Sequence, residues 1–404
     1  MPNRSLLVAA LALAVPAAAV VAQNRLLVPS QFAQIGAAVQ AATPGTIIEV
    51  QSIGGPYQAF VLDRPVTIVG SAGEQLAPLV LAPNGGIGID VQLAAGEAAT
   101  ISRIDVGAPG GAASTTGIRV AGGQLTLEDC RISGSNDPAN TPGLAAVEVV
   151  DAEVLIAFCR FGGGRDGHGL RATRAVISTT KSRFFGGTAP AGHGVVVVDS
   201  TFHGADSWCL GGDAFNGGTG GIGIEVHGAS RVTLVDGQAQ GGLGTTGGSG
   251  IVNNTAVAVE LLRSAAGGGL GFPSLVVAPA TVGPTVTRPD LVGLFWSEPP
   301  YRRGTLQPGQ PWGVGVTAAP NRLAVIALSI GPTGTAALWT RQPALLPQDI
   351  ATAVAAVTDT TGVASYGSMI PNVVGLRGVG IWAQAVVGNS LPLEASPLSG
   401  VVVR

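Results

Sequence analysis

Lysine is all but absent. Lys181 is the only one in 404 residues, so nearly all the positive charge is arginine. Charged residues of both signs make up 11% of the chain, less than half of the ~25% usual for soluble domains. The formal net charge of −3 offers no basic surplus, which excludes nucleic-acid binding held by phosphate contacts. Aromatics are 4%, too few for a long sugar-stacking platform. The three cysteines, Cys130, Cys159 and Cys209, have the spacing of neither a disulfide framework nor a zinc site and allow one bridge at most. Beyond the N-terminus no apolar run reaches the ~18 residues of a membrane span.

Glycine and proline are what the chain has in quantity, at 62 and 27 residues. Glycine does not recur at every third position, which excludes collagen. An apolar content of 46% excludes a charge-swollen disordered polymer. Residues 1–22 read as a secretory signal, with Arg4 before a short apolar core, Leu6 to Val15, and small residues at Val20-Val21-Ala22. Cleavage after Ala22 would send the mature chain out of a bacterial cell, to the medium or the cell surface, without a membrane attachment.

Residues 30–70 form an opening unit. Ser30 is placed to cap a short amphipathic helix from Gln31 to Ala42, and Thr43-Pro44-Gly45 stops it. A strand Thr46 to Val50, a turn Gly54-Gly55-Pro56 before Tyr57, and a strand Val66 to Val69 closed by Gly70 follow. This order resembles the start of the secreted pectin-lyase-like superfamily of right-handed parallel β-helices. The resemblance implies a helix capping the open end of a solenoid, whose first rung has no neighbour on one side.

An internal repeat supports a solenoid independently. The segments 117–132, 146–161 and 169–184 align without gaps over 16 residues. Leu125, Val154 and Ile177 coincide, as do Leu127, Ile156 and Thr179, then Cys130, Cys159 and Ser182, then Ile132, Phe161 and Phe184. Weaker copies begin at Gly223 and Gly250, and Asp199 to Phe202 matches the end of the unit. Within a unit, Leu125 to Glu128 alternates apolar and polar as a half-buried strand does, and a one-residue bend at Asp129 precedes a second such run. A single coil cannot bury its apolar side; stacked coils share one core. At one strand spacing per coil, roughly nine coils give an axis of about 40 Å.

The expected fold is all-β: a right-handed parallel β-helix over 30–272 with an N-terminal cap helix, a linker or last irregular coil at 273–289 marked by Pro273, Pro279, Pro284 and Pro289, and a small antiparallel β-sandwich over 290–404. The run Ile370-Pro371-Asn372, Gly375-Leu376 and Ile381 to Ala385 resembles C-terminal β modules of secreted bacterial repeat proteins, a likeness that implies no particular chemistry.

Four groups of residues could carry function. His168 and His193 each lie between two glycines at a unit start, with Asp166 near the first. They are either turn residues or, with Asp166, a catalytic acid–base set. Polygalacturonase-like β-helix hydrolases carry a similar Gly-His-Gly motif, but their Asn-Thr-Asp, Asp-Asp and Arg-Ile-Lys elements have no counterpart here. Arg131, Arg160 and Arg183 share one aligned outward position, with Arg263 fitting after a one-residue shift. Such a row could grip carboxylates of an acidic polysaccharide, or be a solvated face neutralised by Glu128 and Glu260. Asp199, Asp206 and Asp213 leave calcium open against a simpler role in turns, and no other cofactor or metal is indicated. Cys130 and Cys159 are expected inward, as stacked thiols or a bridge. The leading expectation is a monomeric, non-catalytic binder of polysaccharide or a surface component; a lyase or hydrolase acting on acidic glycans is the alternative.

Overall fold

The computed structural model describes residues 24–403, apart from 72–75, 108–114, 135–143, 189–191, 215–216, 274, 298–308, 330–333, 338–343, 348–349, 371–375, 377, 391–392 and 397. The signal peptide expected at residues 1–22 lies outside the described residues, as do Pro371, Asn372 and Gly375 of the C-terminal resemblance.

The chain winds as a parallel β-solenoid of about nine turns, each turn giving one strand to each of three sheets. We call these sheets A, B and C, with 11, nine and nine strands respectively. The aligned positions are true neighbours. Leu125 pairs with Val154 and Val154 with Ile177 in sheet A. Ile132 pairs with Phe161 and Phe161 with Phe184 in sheet B. Their inward side chains are fully buried. Phe161 and Phe184 stack at 4.9 Å between centroids, and Phe202 meets Phe184 edge-on at 6.1 Å. Each buried Phe of this kind contributes ~1.5–3 kcal/mol by leaving water.

The bend from sheet A to sheet B takes one residue in the left-handed region. Asp129, Phe158, Lys181, Asp206, Asp236 and Arg263 occupy it on successive coils, with φ between 46 and 56°. The bend from sheet B to sheet C is made of glycine. Gly163, Gly187, Gly212, Gly242 and Gly269 lie on neighbouring loops, and their backbones are hydrogen-bonded through Gly187 N to Gly167 O, Gly212 N to Gly192 O and Gly242 N to Gly221 O, each at 2.8 Å. A Cβ on Gly187 would fall 1.4 Å from the Gly164 carbonyl oxygen. Only chains without side chains can approach so closely.

Two details at the N-terminal end differ from expectation. The helix is shorter, Ile35–Ala41, and Gln34 rather than Ser30 occupies its N-cap, with no side-chain cap bond. Ser30 instead lies in the turn after an additional strand, Arg25–Val28, which pairs with Ile47–Val50 as the first rung of sheet A. At the other end, where a linker or last irregular coil was expected, Thr281–Val282 and Thr285–Thr287 form the last rungs of sheets C and A. Pro279 and Pro284 flank these short strands, where a missing N–H is tolerated at a sheet edge.

The C-terminal region folds into antiparallel sheets. Gly293–Ser297, Pro311–Thr317 and Val363–Met369 form one; Leu323–Ser329, Ile350–Val357 and Gly380–Val387 form the core of another. Trp296, Val314, Ile326, Ala385 and Val401 pack between them, and Trp296 Nε1 donates to Ser399 Oγ at 2.9 Å. This module lies on the outer face of sheet A. Ala157 joins its core, Leu155 packs with Trp382 and Leu398, and Val235 packs with Leu291. Thr180 Oγ1 donates to Leu294 O at 3.3 Å. Arg263 spans the junction, holding Asp236 and donating to Thr317 Oγ1 at 2.9 Å and to Thr361 O. One outer face of the solenoid is therefore covered, and sheets B and C remain open.

Candidate functional site

The outward residues of sheet B form a column one rung apart. Asp105, Arg131, Arg160, Arg183, Trp208 and Gln238 pair in register along it. Each coil reaches this column two residues after its left-handed bend, which fixes the outward direction of the side chain. Arg131, Arg160 and Arg183 are all exposed. Rungs are ~4.8 Å apart, so like charges lie directly opposite one another, an arrangement that destabilises a sheet.

None of these three guanidinia forms an ion pair with a carboxylate among the described residues. Five arginines elsewhere are paired with carboxylates: Arg25 with Glu49 at 2.6 Å, Arg119 with Asp90 at 2.7 Å, Arg174 with Asp151 at 2.7 Å, Arg263 with Asp236 at 2.8 Å and Arg288 with Glu260 at 2.7 Å. The neutralising residues considered for the row are committed elsewhere. Glu128 is fully buried on the outer face of sheet A, where Ser102 Oγ donates to it at 2.7 Å. Glu260 holds Arg288. Arg263 is not in the row at all, because it occupies the bend itself. Two of the three are steadied by rings instead of carboxylates. Arg160 lies over Phe185 and Arg183 over Trp208, each with its guanidinium carbon 4.7 Å from the ring centroid.

Sheet C provides the contrast. Its outward column reads Asp90, Arg119, Glu148, Arg171 on successive rungs, so each charge faces its opposite. That is the pattern of a self-neutralised surface. Sheet B, after Asp105, repeats one sign over three rungs.

The two histidines are brought together, and Asp166 Oδ1 bonds to neither. Their rings stack at 5.1 Å and 13° at the turn entering sheet C. The His193 amide donates to His168 Nδ1 at 3.3 Å, and the Ile222 amide donates to His193 Nδ1 at 3.0 Å. A nitrogen that accepts from an amide carries no proton, so both rings are neutral with hydrogen on Nε2. Burial and the neighbouring His193 and Arg171 push His168 down to about 4. Burial also lowers His193, against the opposing pull of Glu225. Glu225 meets His193 Nε2 at 3.4 Å and His227 Nε2 at 3.2 Å. Asp166 lies in the preceding loop at φ 57°, with Oδ1 buried and unbonded. The ring nitrogen that a general base needs is thus occupied in both histidines.

Asp199, Asp206 and Asp213 stand at three different corners of one coil. Asp199 Oδ1 accepts from the Ala229 amide and Asp213 Oδ1 from the Leu243 amide, both at 2.8 Å, while Asp206 faces Lys181 at 3.7 Å. They do not gather the six or more oxygens that calcium takes. No cluster of three His, Cys, Asp or Glu able to hold a metal occurs among the described residues. The three cysteines are free and buried.

The sequence reading missed Trp208, Phe185 and Glu225. The signal for Trp208 was present: a 16-residue window from Gly194 to Cys209 puts it in the column of Arg131, Arg160 and Arg183. Glu225 has no such signal, because its meeting with His193 joins two coils.

No family model matches the chain, and no curated protein matches it. Among solved structures it is distantly similar to ORF18 of Geobacillus virus E2, at 11% identity over 70% of this chain and 67% of that one, with a TM-score of 0.35. It is also similar to tailspike gp49 of Acinetobacter baumannii bacteriophage Fri1, a capsular polysaccharide depolymerase, at 9% identity over 94% and 82% of the two chains, with a TM-score of 0.31. Escherichia coli YbhC is similar at 14% identity over 60% and 71%, with a TM-score of 0.26.

Proposed function

We propose that this protein is a secreted or cell-surface β-solenoid that binds an acidic polysaccharide along the outer face of sheet B without cleaving it. The observation that carries the reading is the in-register row Arg131, Arg160 and Arg183, exposed and without a carboxylate ion pair among the described residues. Three like charges held one rung apart cost stability in the free protein. A chain of carboxylates laid along the solenoid axis removes that cost, and arginine forks match carboxylates two bonds at a time. Membership of the pectin-lyase-like superfamily, a signal cleaved after Ala22 and a monomeric state belong to the same proposal. The occupied Nδ1 atoms of His168 and His193, and the unbonded Oδ1 of Asp166, favour binding over catalysis.

Titration calorimetry with oligogalacturonates at low and high salt tests the reading. Binding should weaken as salt rises, and Arg160→Ala should lower affinity at least tenfold with the melting temperature little changed. Absence of binding, or an Arg160→Ala variant that binds as well as the parent, overturns it. Release of unsaturated or reducing ends from the same polymers, with or without calcium, would instead establish a lyase or hydrolase.

A further inference from the structure

We infer that Trp208, with Gln238 and Gln240, forms a subsite for an uncharged pyranose ring beside the arginine row, so that the ligand of this face carries both acidic and neutral sugar residues. The inference rests on the reading of sheet B as an anion-binding face.

The column changes chemistry abruptly at one rung. Asp105 precedes the arginines and ends the positive stretch on one side. On the other side, Arg183 is followed by Trp208, Gln238 and Ala265. The second outward column runs in parallel through Phe185, Leu210, Gln240 and Gly267. Three charged rungs therefore adjoin three uncharged ones. A uniform polyanion lying along the axis would leave half its charges without partners on this face.

Trp208 is 40% exposed in mid-solenoid, where an outward strand position has no packing requirement for an indole. The Arg183 guanidinium occupies one side of the ring. Gln238, on the next rung, is turned along its own strand, its Nε2 donating to Gln240 Oε1 at 3.2 Å. Beyond it the rung carries only Ala265 and Gly267, and a Cβ added to Gly267 would meet nothing nearer than Gln240 Cγ at 3.9 Å. Trp208 is thus followed along the face by a pair of amides and then by small residues alone. An indole offers an apolar face to the C–H side of a sugar ring. The amides offer both donors and acceptors to its hydroxyls. A pyranose residue spans about one rung, so consecutive sugars meet Arg160, Arg183 and Trp208 in turn.

The test compares three probes: oligogalacturonates, oligogalacturonates of equal charge that carry one neutral pyranose residue at an end, and neutral cello-oligosaccharides. The parent protein should bind the probe with the neutral end residue at least tenfold more tightly than the uniform one. Trp208→Ala should abolish that preference while leaving oligogalacturonate affinity within about twofold, and Trp208→Phe should retain most of it. Equal affinity of the parent for both acidic probes, or an equal loss on both in Trp208→Ala, overturns the inference and leaves the anion-binding face standing. Failure of both acidic probes to bind removes the face and the subsite together. Thermal melts of each variant confirm that the exposed substitution leaves the fold intact.

Discussion

The Cys130 amide donates to Cys159 Sγ at 3.4 Å, one rung away. The Cys159 amide donates in turn to Ser182 Oγ at 3.1 Å, and the Ser182 amide to Ser207 Oγ at 3.3 Å. Each of these side chains gives its own hydrogen to the carbonyl two residues earlier: Cys130 to Glu128, Cys159 to Ala157, Ser182 to Thr180 and Ser207 to Ala205. A small side chain that both donates and accepts thus stitches successive coils at the inner corner after the left-handed bend. The cysteines stand in for serine, which is why two of them stack without forming a bridge.

Cys159→Ser should therefore be nearly neutral, and Cys159→Val should cost ~1–3 kcal/mol by stranding the Cys130 amide in a dry corner. Urea midpoints measure both. Burial and the adjacent Cys130 hold the Cys159 thiol well above its usual range, and burial does the same for Cys209. A thiol-reactive disulfide at pH 8 should accordingly label neither until the chain unfolds.

The glycine corner makes a sharp pair of variants. Gly187→Ala drives a Cβ into the Gly164 carbonyl at 1.4 Å, whereas a Cβ at Gly162 meets nothing within 4 Å. Gly187→Ala should fail to accumulate as folded protein, and Gly162→Ala should melt within a few degrees of the parent. Similar behaviour of the two would mean that the corner loops are not packed backbone to backbone.

Acid should destabilise the protein before its carboxylates titrate. His168 lies at about 4 in the folded chain and near 6.5 when unfolded. Between those values the unfolded chain binds a proton that the folded chain does not, so stability falls as pH drops from 6.5 towards 4. The contribution of His168 is roughly 3 kcal/mol. His203, lowered to about 4 by burial beneath the C-terminal module, acts in the same direction. His168→Asn keeps an acceptor for the His193 amide and cannot titrate, so its melting temperature should fall less between pH 7 and pH 4.5. A parent protein equally stable at both pH values would contradict the tied, neutral histidine pair.

Arg263 should couple the two modules. Its four hydrogen bonds join Asp236 of the solenoid to Thr317 and Thr361 of the sandwich. Arg263→Ala should cost ~1.5–3 kcal/mol, and calorimetry should show one broadened or split transition where the parent shows one sharp transition. An unaltered transition would place the junction's strength in the apolar contacts of Ala157, Leu155 and Val235 alone.

Much of the solenoid was legible because its physics is local and repeated. Alternation fixed which of Leu125, Thr126 and Leu127 point inward, and gapless alignment fixed their register with Val154 and Ile177. The cap helix was placed well but its start was not. An Arg25–Val28 strand precedes it, and that strand finds its partner only when Ile47–Val50 folds back beside it. The arginine row was visible as a column, whereas its lack of a carboxylate ion pair among the described residues was not. Glu128 and Arg131 are three residues apart, but the left-handed Asp129 between them turns the chain from sheet A to sheet B. A carboxylate that looks adjacent in sequence therefore points to a different face.

The sequence by itself determined the rung: its apolar period, its one-residue bend, and its glycine corner, since each depends on neighbours along the chain and on copies of itself. Tertiary structure decided which faces remain available. The C-terminal module folded onto sheet A, enclosed Glu128 and drew Arg263 into its edge. With Glu128 enclosed and Arg263 drawn away, Arg131, Arg160 and Arg183 form no carboxylate ion pair among the described residues, because partners across a solenoid are fixed by how coils stack and what covers them, not by spacing along the chain.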